Sequence, residues 1–210
     1  MLEQSGLILT AFSLVFWGWA YFFRGGFWRA DQRLDDAPTD LKHWPGIVAV
    51  VPARNEAETI GQTVASLLAQ DYPGDVSVIV VDDGSDDGAA EATGTSERLS
   101  VIQGKPLKAG WTGKLWAMKQ GLQEADRTRP SAPFVLLTDA DIVHDPASLR
   151  RLVAKAEEDN LDLVSLIALL RCENFWERFL IPAFIFFFQK LYPFPWVNDP
   201  SRPAAAAAGG

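Results

Sequence analysis

The chain has 210 residues, 48% of them hydrophobic, and a formal net charge of −8. That length fits one domain plus accessory segments, and the acidic balance argues against nucleic acid as a partner, because nucleic acid attracts basic surfaces. A lone Cys172 excludes an internal disulfide, and His43 and His144, far apart with no cysteine cluster nearby, argue against a structural zinc site.

From Gln4 to Phe23 there is no charged side chain. Twenty helical residues at about 1.5 Å each match the roughly 30 Å hydrocarbon core of a bilayer. The leader carries Glu3 and no base, so residues 1–24 are expected to be an uncleaved transmembrane anchor rather than a signal peptide. Arg24, Arg29 and Arg33 follow the span and no base precedes it. The positive-inside rule then puts the rest of a single-pass chain on the cytoplasmic side of a membrane, such as a bacterial inner membrane. Residues 25–45 are expected to be a juxtamembrane linker.

Residues 46–172 alternate between two patterns. Strands are expected at 47–52 (IVAVVP), 76–82 (VSVIVVD), 99–103, 134–139 (FVLLTD) and 161–170, and helices at 57–70, 89–93, 114–125 and 146–158. Continuous apolar strands mean burial on both faces, hence a mostly parallel sheet covered by helices in a Rossmann-like α/β core. Ligands of such sheets sit beyond the carboxyl ends of the strands.

Those ends are polar. After the first strand stands Pro52-Ala53-Arg54-Asn55-Glu56; Asn55 and Glu58 have the spacing of a capping box, which leaves Arg54 either solvated or free for a phosphate or base. The second strand ends in Asp82-Asp83-Gly84-Ser85-Asp86-Asp87-Gly88. An EF-hand loop beginning at Asp83 needs its glutamate where Gly94 stands, so calcium fails and a carboxylate that accepts from a nucleoside remains. The fourth strand ends in Asp139-Ala140-Asp141, where i and i+2 side chains on an extended segment share one side. Two such carboxylates suit Mg²⁺ or Mn²⁺ holding a diphosphate. Lys114 opens a helix, where a cation opposes the dipole unless an anion is shared, and helix N-termini bind phosphate. Lys105 and Lys108 precede it. No P-loop or G-x-G-x-x-G occurs, which disfavours an ATPase or dinucleotide enzyme.

Residues 173–198 hold the apolar run 179–188 (FLIPAFIFFF), interrupted by Pro182 and too short on its own to cross a bilayer. With its flanking charges and aromatics it is expected at the membrane interface or as a re-entrant element. Residues 199–210 (PSRPAAAAAGG from residue 200) are expected to be a truncated tail.

In order, VVPARNEAETI, VVDDGSDDG, GKLWAMKQG and LLTDADI resemble the family 2 glycosyltransferases of the GT-A fold. The resemblance implies that Pro52, Arg54 and Glu56 contact the nucleoside and Asp83 the base. It implies that Asp139 and Asp141 hold metal and diphosphate, and it places Lys114 in a G-K-x-x-A motif, with Lys119 where an asparagine is usual. The leading span, the G-W-T-G-K stretch and the aromatic segment are more narrowly similar to bacterial hopanoid-biosynthesis-associated members, which implies a lipid acceptor. Inverting members carry an acidic general base, often with Q-x-x-R-W, after the donor domain. Only Glu173 and Asp199 stand near the end here, without that context, so the base is expected beyond residue 210 and the chain to be an amino-terminal portion. The expected activity is metal-assisted, inverting transfer from a nucleotide-diphosphate sugar to a membrane lipid. The alternatives are a nucleotidyltransferase, whose glycine-rich basic loop is replaced here by ARNEAE, and a non-catalytic, membrane-tethered nucleotide-sugar binder.

Overall fold

A computed structural model describes residues 2–34 and 41–207, so part of the expected linker lies outside the described residues. In chain order the elements are α1 (Leu2–Phe23), β1 (Ile47–Ala53), α2 (Ile60–Leu68), β2 (Val76–Asp82), α3 (Ala89–Ala92), β3 (Leu99–Gln103), α4 (Gly113–Thr128), β4 (Phe134–Leu137), α5 (Ser148–Glu158), α6 (Phe175–Leu191) and α7 (Phe194–Val197). They divide into two compact units. One spans Leu34–Ala168, and the other combines Met1–Arg33 with Leu169–Ala207.

The first unit is built on a parallel sheet of order β3-β2-β1-β4. Its two central strands read as unbroken apolar runs because each face meets a helix. Ala49, Val51, Val78 and Val80 pack with Ile60, Val64 and Leu67 of α2, whose i, i+4, i+7 spacing makes one apolar stripe. The alternate residues Val48, Val50, Ile79 and Val81 pack with Ala117 and Ala125 of α4. Small residues let α4 lie close to the sheet. A Cβ at Gly121 would overlap Val50 Cγ1, so this helix keeps a glycine despite its helix-propensity cost. Below the strands, Leu149 and Val153 of α5 close a third cluster with Ile47 and Val76.

Three expectations are corrected. Residues 161–170 form no strand. The run is apolar enough to suggest a buried strand, but a strand exists only through its ladder, and this segment pairs with none. The expected cap at Asn55 and Glu58 is absent, since α2 starts later, at Ile60 behind Thr59, and Asn55 is spent on another loop. Finally, β4 stops at Leu137, with Ala140 and Asp141 in a turn rather than on an extended strand.

The second unit has the opposite distribution of apolar surface. Leu9, Phe12 and Leu14 of α1 and Phe179, Leu180 and Phe184 of α6 are exposed. Inward contacts concentrate near the C-terminal ends of both helices. Arg24 donates through Nε to Lys190 O (2.8 Å) and through a terminal nitrogen to Leu191 O (3.2 Å), satisfying carbonyls that a helix end leaves free. The Lys190 ammonium lies 4.6 Å from the Phe16 ring and 4.5 Å from the Trp17 ring. Helix α6 outruns the apolar stretch 179–188 because a capping box starts it early: Asn174 Oδ1 accepts from Glu177 N, and Glu177 Oε2 from Asn174 N. By length and composition both Gln4–Phe23 and Phe175–Val197 could cross a bilayer, the second only when α6 and α7 are taken together rather than the run 179–188 alone.

Candidate functional site

The chain passes from β1 outward to β2 and β3, then returns to place β4 on the other side of β1. That reversal opens a crevice at the carboxyl edge of the sheet, where α/β proteins bind ligands. A cleft of about 310 Å³ lies there, lined by Pro52, Arg54, Glu56, Asp83, Lys114, Asp139 and Asp141 together with Ala53, Gly113, Ala117 and Ala140. All seven residues singled out in the sequence thus border one cavity.

Two hydrogen-bonded tips shape it. At the first, Asn55 adopts a left-handed conformation (φ 56°), its backbone N–H donates to Ser85 Oγ, and its Oδ1 accepts from Asp86 N, each at 3.0 Å. Ala57 N donates to Asp87 Oδ2 at 2.9 Å. Asp82, buried, accepts from Ser85 N and turns the chain, leaving the next carboxylate for the cleft. Asp83 Oδ2 lies 3.7 Å from an Arg54 guanidinium nitrogen. A Cβ on Gly113 would stand 3.0 Å from the same oxygen, so glycine lets the start of α4 approach this carboxylate.

The second tip is braced from beneath. Thr63 of α2, fully buried, donates to Ala140 O at 2.8 Å, between the two aspartates. The buried Thr138 hydroxyl pairs with His144 Nε2 at 3.1 Å, and His144 N donates to Ser66 Oγ. Burial lowers the His144 pKa and favours the neutral ring. Asp139 and Asp141 therefore border the same cleft through a braced turn, not through strand periodicity. Asp139 Oδ1 lies 2.5 Å from Lys114 Nζ. The N-terminus of α4 so bridges both acidic tips, Gly113 against Asp83 and Lys114 against Asp139. That carboxylate is the anion which offsets a lysine at the positive end of a helix.

The donor set suits a hard cation. No group of three or more His, Cys, Asp or Glu is placed to hold a metal among the described residues. Two carboxylates in an open cleft leave coordination positions for diphosphate oxygens and water, as Mg²⁺ and Mn²⁺ sites with phosphorylated ligands do.

Residues 48–206, more than half of the chain, match the family described as Glycosyl transferase family 2. The chain belongs to that family. An N-acetylglucosaminyltransferase of Mesorhizobium japonicum is 30% identical over 127 residues, 58% of this chain and 28% of the relative. A 4,4'-diaponeurosporenoate glycosyltransferase of Staphylococcus aureus is 32% identical over 96 residues, 46% of this chain and 24% of the relative. The chain thus spans about a quarter of the length of these curated relatives. Among solved structures, the mannosyltransferase PcManGT from Pyrobaculum calidifontis, in complex with GDP-Man and Mn²⁺, superimposes with a TM-score of 0.58 at 26% identity. The match covers 84% of this chain and 49% of that one. The fold of this family 2 member is accordingly the GT-A-like α/β arrangement expected from the motifs.

Sequence reasoning did not anticipate the bracing residues. Thr138 and His144 flank Asp139-Ala140-Asp141 closely, but Thr63 and Ser66 come from α2, and only folding brings them under it. The Asn55–Ser85–Asp86 contacts were equally hidden, because Asn55 had a simpler local use as a helix cap.

Proposed function

We propose that this family 2 chain binds the donor in a glycosyltransferase that moves a sugar from a nucleotide-diphosphate carrier to a lipid-type acceptor at a membrane. The observation that carries this reading is the single cleft bordered by Arg54, Asp83, Lys114, Asp139 and Asp141. In it, Pro52, Arg54, Glu56 and Asp83 receive the nucleoside, with Asp83 accepting from the base. Asp139 and Asp141 hold Mg²⁺ or Mn²⁺, which neutralises charge on the departing nucleoside diphosphate. The Mn²⁺ and GDP-Man named with the Pyrobaculum structure support the metal and the donor class. A divalent cation held by Asp139 and Asp141 would compete with Lys114 for the Asp139 carboxylate, and Lys114, at the start of α4, would then be available to the diphosphate.

The acceptor class rests on the exposed apolar faces of α1 and α6 and on the lipid-like substrate in the name of the Staphylococcus relative. Helix α1 spans the membrane, with Arg24, Arg29 and Arg33 on the cytoplasmic side, and α6 lies at the interface with its tryptophan and basic flanks. The similarity to hopanoid-associated members points to the same acceptor class, with inversion at the sugar carbon.

Calorimetric titration with UDP and GDP, with and without Mn²⁺, tests the donor site. The metal-dependent component should fall by about 100-fold or more in Asp139→Asn, since even outer-shell partners of a metal are worth 10- to 100-fold. Asp83→Ala should weaken the preferred nucleotide whether or not Mn²⁺ is added. Binding that is untouched by both substitutions removes the donor site from this cleft.

A further inference from the structure

Residues 104–116 enter the cleft at Gly113 and Lys114 and form its lip. This loop is braced, not loose. Trp116 Nε1 donates to both Lys105 O and Pro106 O at 3.1 Å, Gln120 Oε1 accepts from Lys105 N at 2.7 Å, and the Trp111 ring lies 5.4 Å from the Trp116 ring. On that scaffold Leu107, Leu115 and Trp111 remain 58%, 55% and 39% exposed. A loop fixed by its own hydrogen bonds, with its apolar side chains still turned outward, presents them to something else. The charge is as uneven as the hydrophobicity. Residues 104–123 contain four lysines and no carboxylate, in a chain whose formal net charge is −8. Lys114 is engaged by Asp139, while Lys105 and Lys108 stand exposed beside Leu107.

From this combination we infer that residues 104–116 dock on an anionic lipid surface and bring the mouth of the donor cleft to it. Leucine and tryptophan enter the headgroup boundary, and lysines meet the negative surface potential. The consequence deepens the proposed function, on whose lipid acceptor it rests: an acceptor that never leaves the bilayer reaches the sugar because the cleft's rim is itself a lipid contact. Each lysine near such a surface contributes about five-fold in association.

The test uses the full chain with Cys172→Ser, reconstituted in nanodiscs of phosphatidylcholine alone or with phosphatidylglycerol. An environment-sensitive dye is carried in turn by Leu107→Cys, by Phe12→Cys on α1, and by Glu91→Cys on α3, which packs with the sheet face opposite α4. The expected result is lipid shielding at 12 in both discs, shielding at 107 in the phosphatidylglycerol discs, and water at 91. Adding Lys105→Gln and Lys108→Gln should reduce the shielded fraction at 107, by on the order of five-fold in association for each lysine. Lipid at 12 with water at 107 in both discs overturns the docking and leaves the membrane assignment standing. Equal shielding at 107 in both discs overturns the anionic preference, and shielding at 91 as well overturns the orientation. Water at 12 removes the membrane assignment itself and the inference with it. Shielding at 107 that grows with chain concentration in lipid-free detergent assigns the lip to a second copy and overturns the lipid.

Discussion

The two units solve the same problem with opposite surfaces. In the unit from Leu34 to Ala168, Val48, Val50, Val51, Val78, Val80 and Val81 are fully hidden, each between the sheet and a helix of the same unit. In the other, Leu9, Phe12 and Phe184 lie open, and the inward contacts are aromatic rings around Arg24 and Lys190. The first unit is stabilised by burying its own chain. The second leaves its apolar helices open, with cations and tryptophans near their ends, the distribution on which the proposed membrane contact rests. A substitution in each should therefore register in a different measurement.

The sharpest separation comes from Leu67→Ala. Leu67 is fully buried as the last residue of the α2 stripe, and truncating it leaves a cavity that costs about 2–5 kcal/mol. Denaturant unfolding of the α/β unit should shift accordingly, while the fraction of chain retained by membranes stays as it was. Phe12→Arg should do the reverse. Phe12 is 71% exposed near the middle of α1, and an arginine at the centre of a span costs about 3 kcal/mol of insertion. Membrane retention should fall and the unfolding midpoint of the α/β unit should hold. If Phe12→Arg destabilised the α/β unit as much as Leu67→Ala does, the division between the two units would be lost.

The same contrast explains what the sequence revealed. Strands β1 and β2 were legible to within a residue because burial on both faces demands a continuous apolar run, and a polar loop follows each. The acidic tips were legible because residues at strand ends have one place to go. Residues 161–170 misled for the same reason that the strands did not: an apolar run reports a tendency to be buried, while a ladder also needs a neighbour. Convergence of Asp139 and Asp141 on one cleft was expected from strand alternation, yet arises from a turn held by Thr63 and His144. No local pattern announces that Thr63, 77 residues away, donates to Ala140 O.

His144 gives the finest test, within the better-buried unit. Its ring touches the Thr138 hydroxyl under the second acidic tip, and burial lowers its pKa below the ordinary 6.5. Well above pH 6.5 the ring is neutral in both the folded and unfolded chain and contributes no pH dependence. As pH falls through about 6.5, the unfolded chain takes up a proton that the folded chain still resists, so stability drops. The loss continues until the pH reaches the depressed folded value and then levels off. In His144→Gln this portion of the curve should flatten, while the part below about pH 5, where carboxylates titrate, should persist. Comparing unfolding midpoints of the two chains between about pH 7.5 and pH 5 isolates the ring's contribution. Parallel curves would mean that His144 is as well solvated in the folded chain as in the unfolded one. The brace beneath Asp139-Ala140-Asp141 would then have to rest on Thr63 and Ser66.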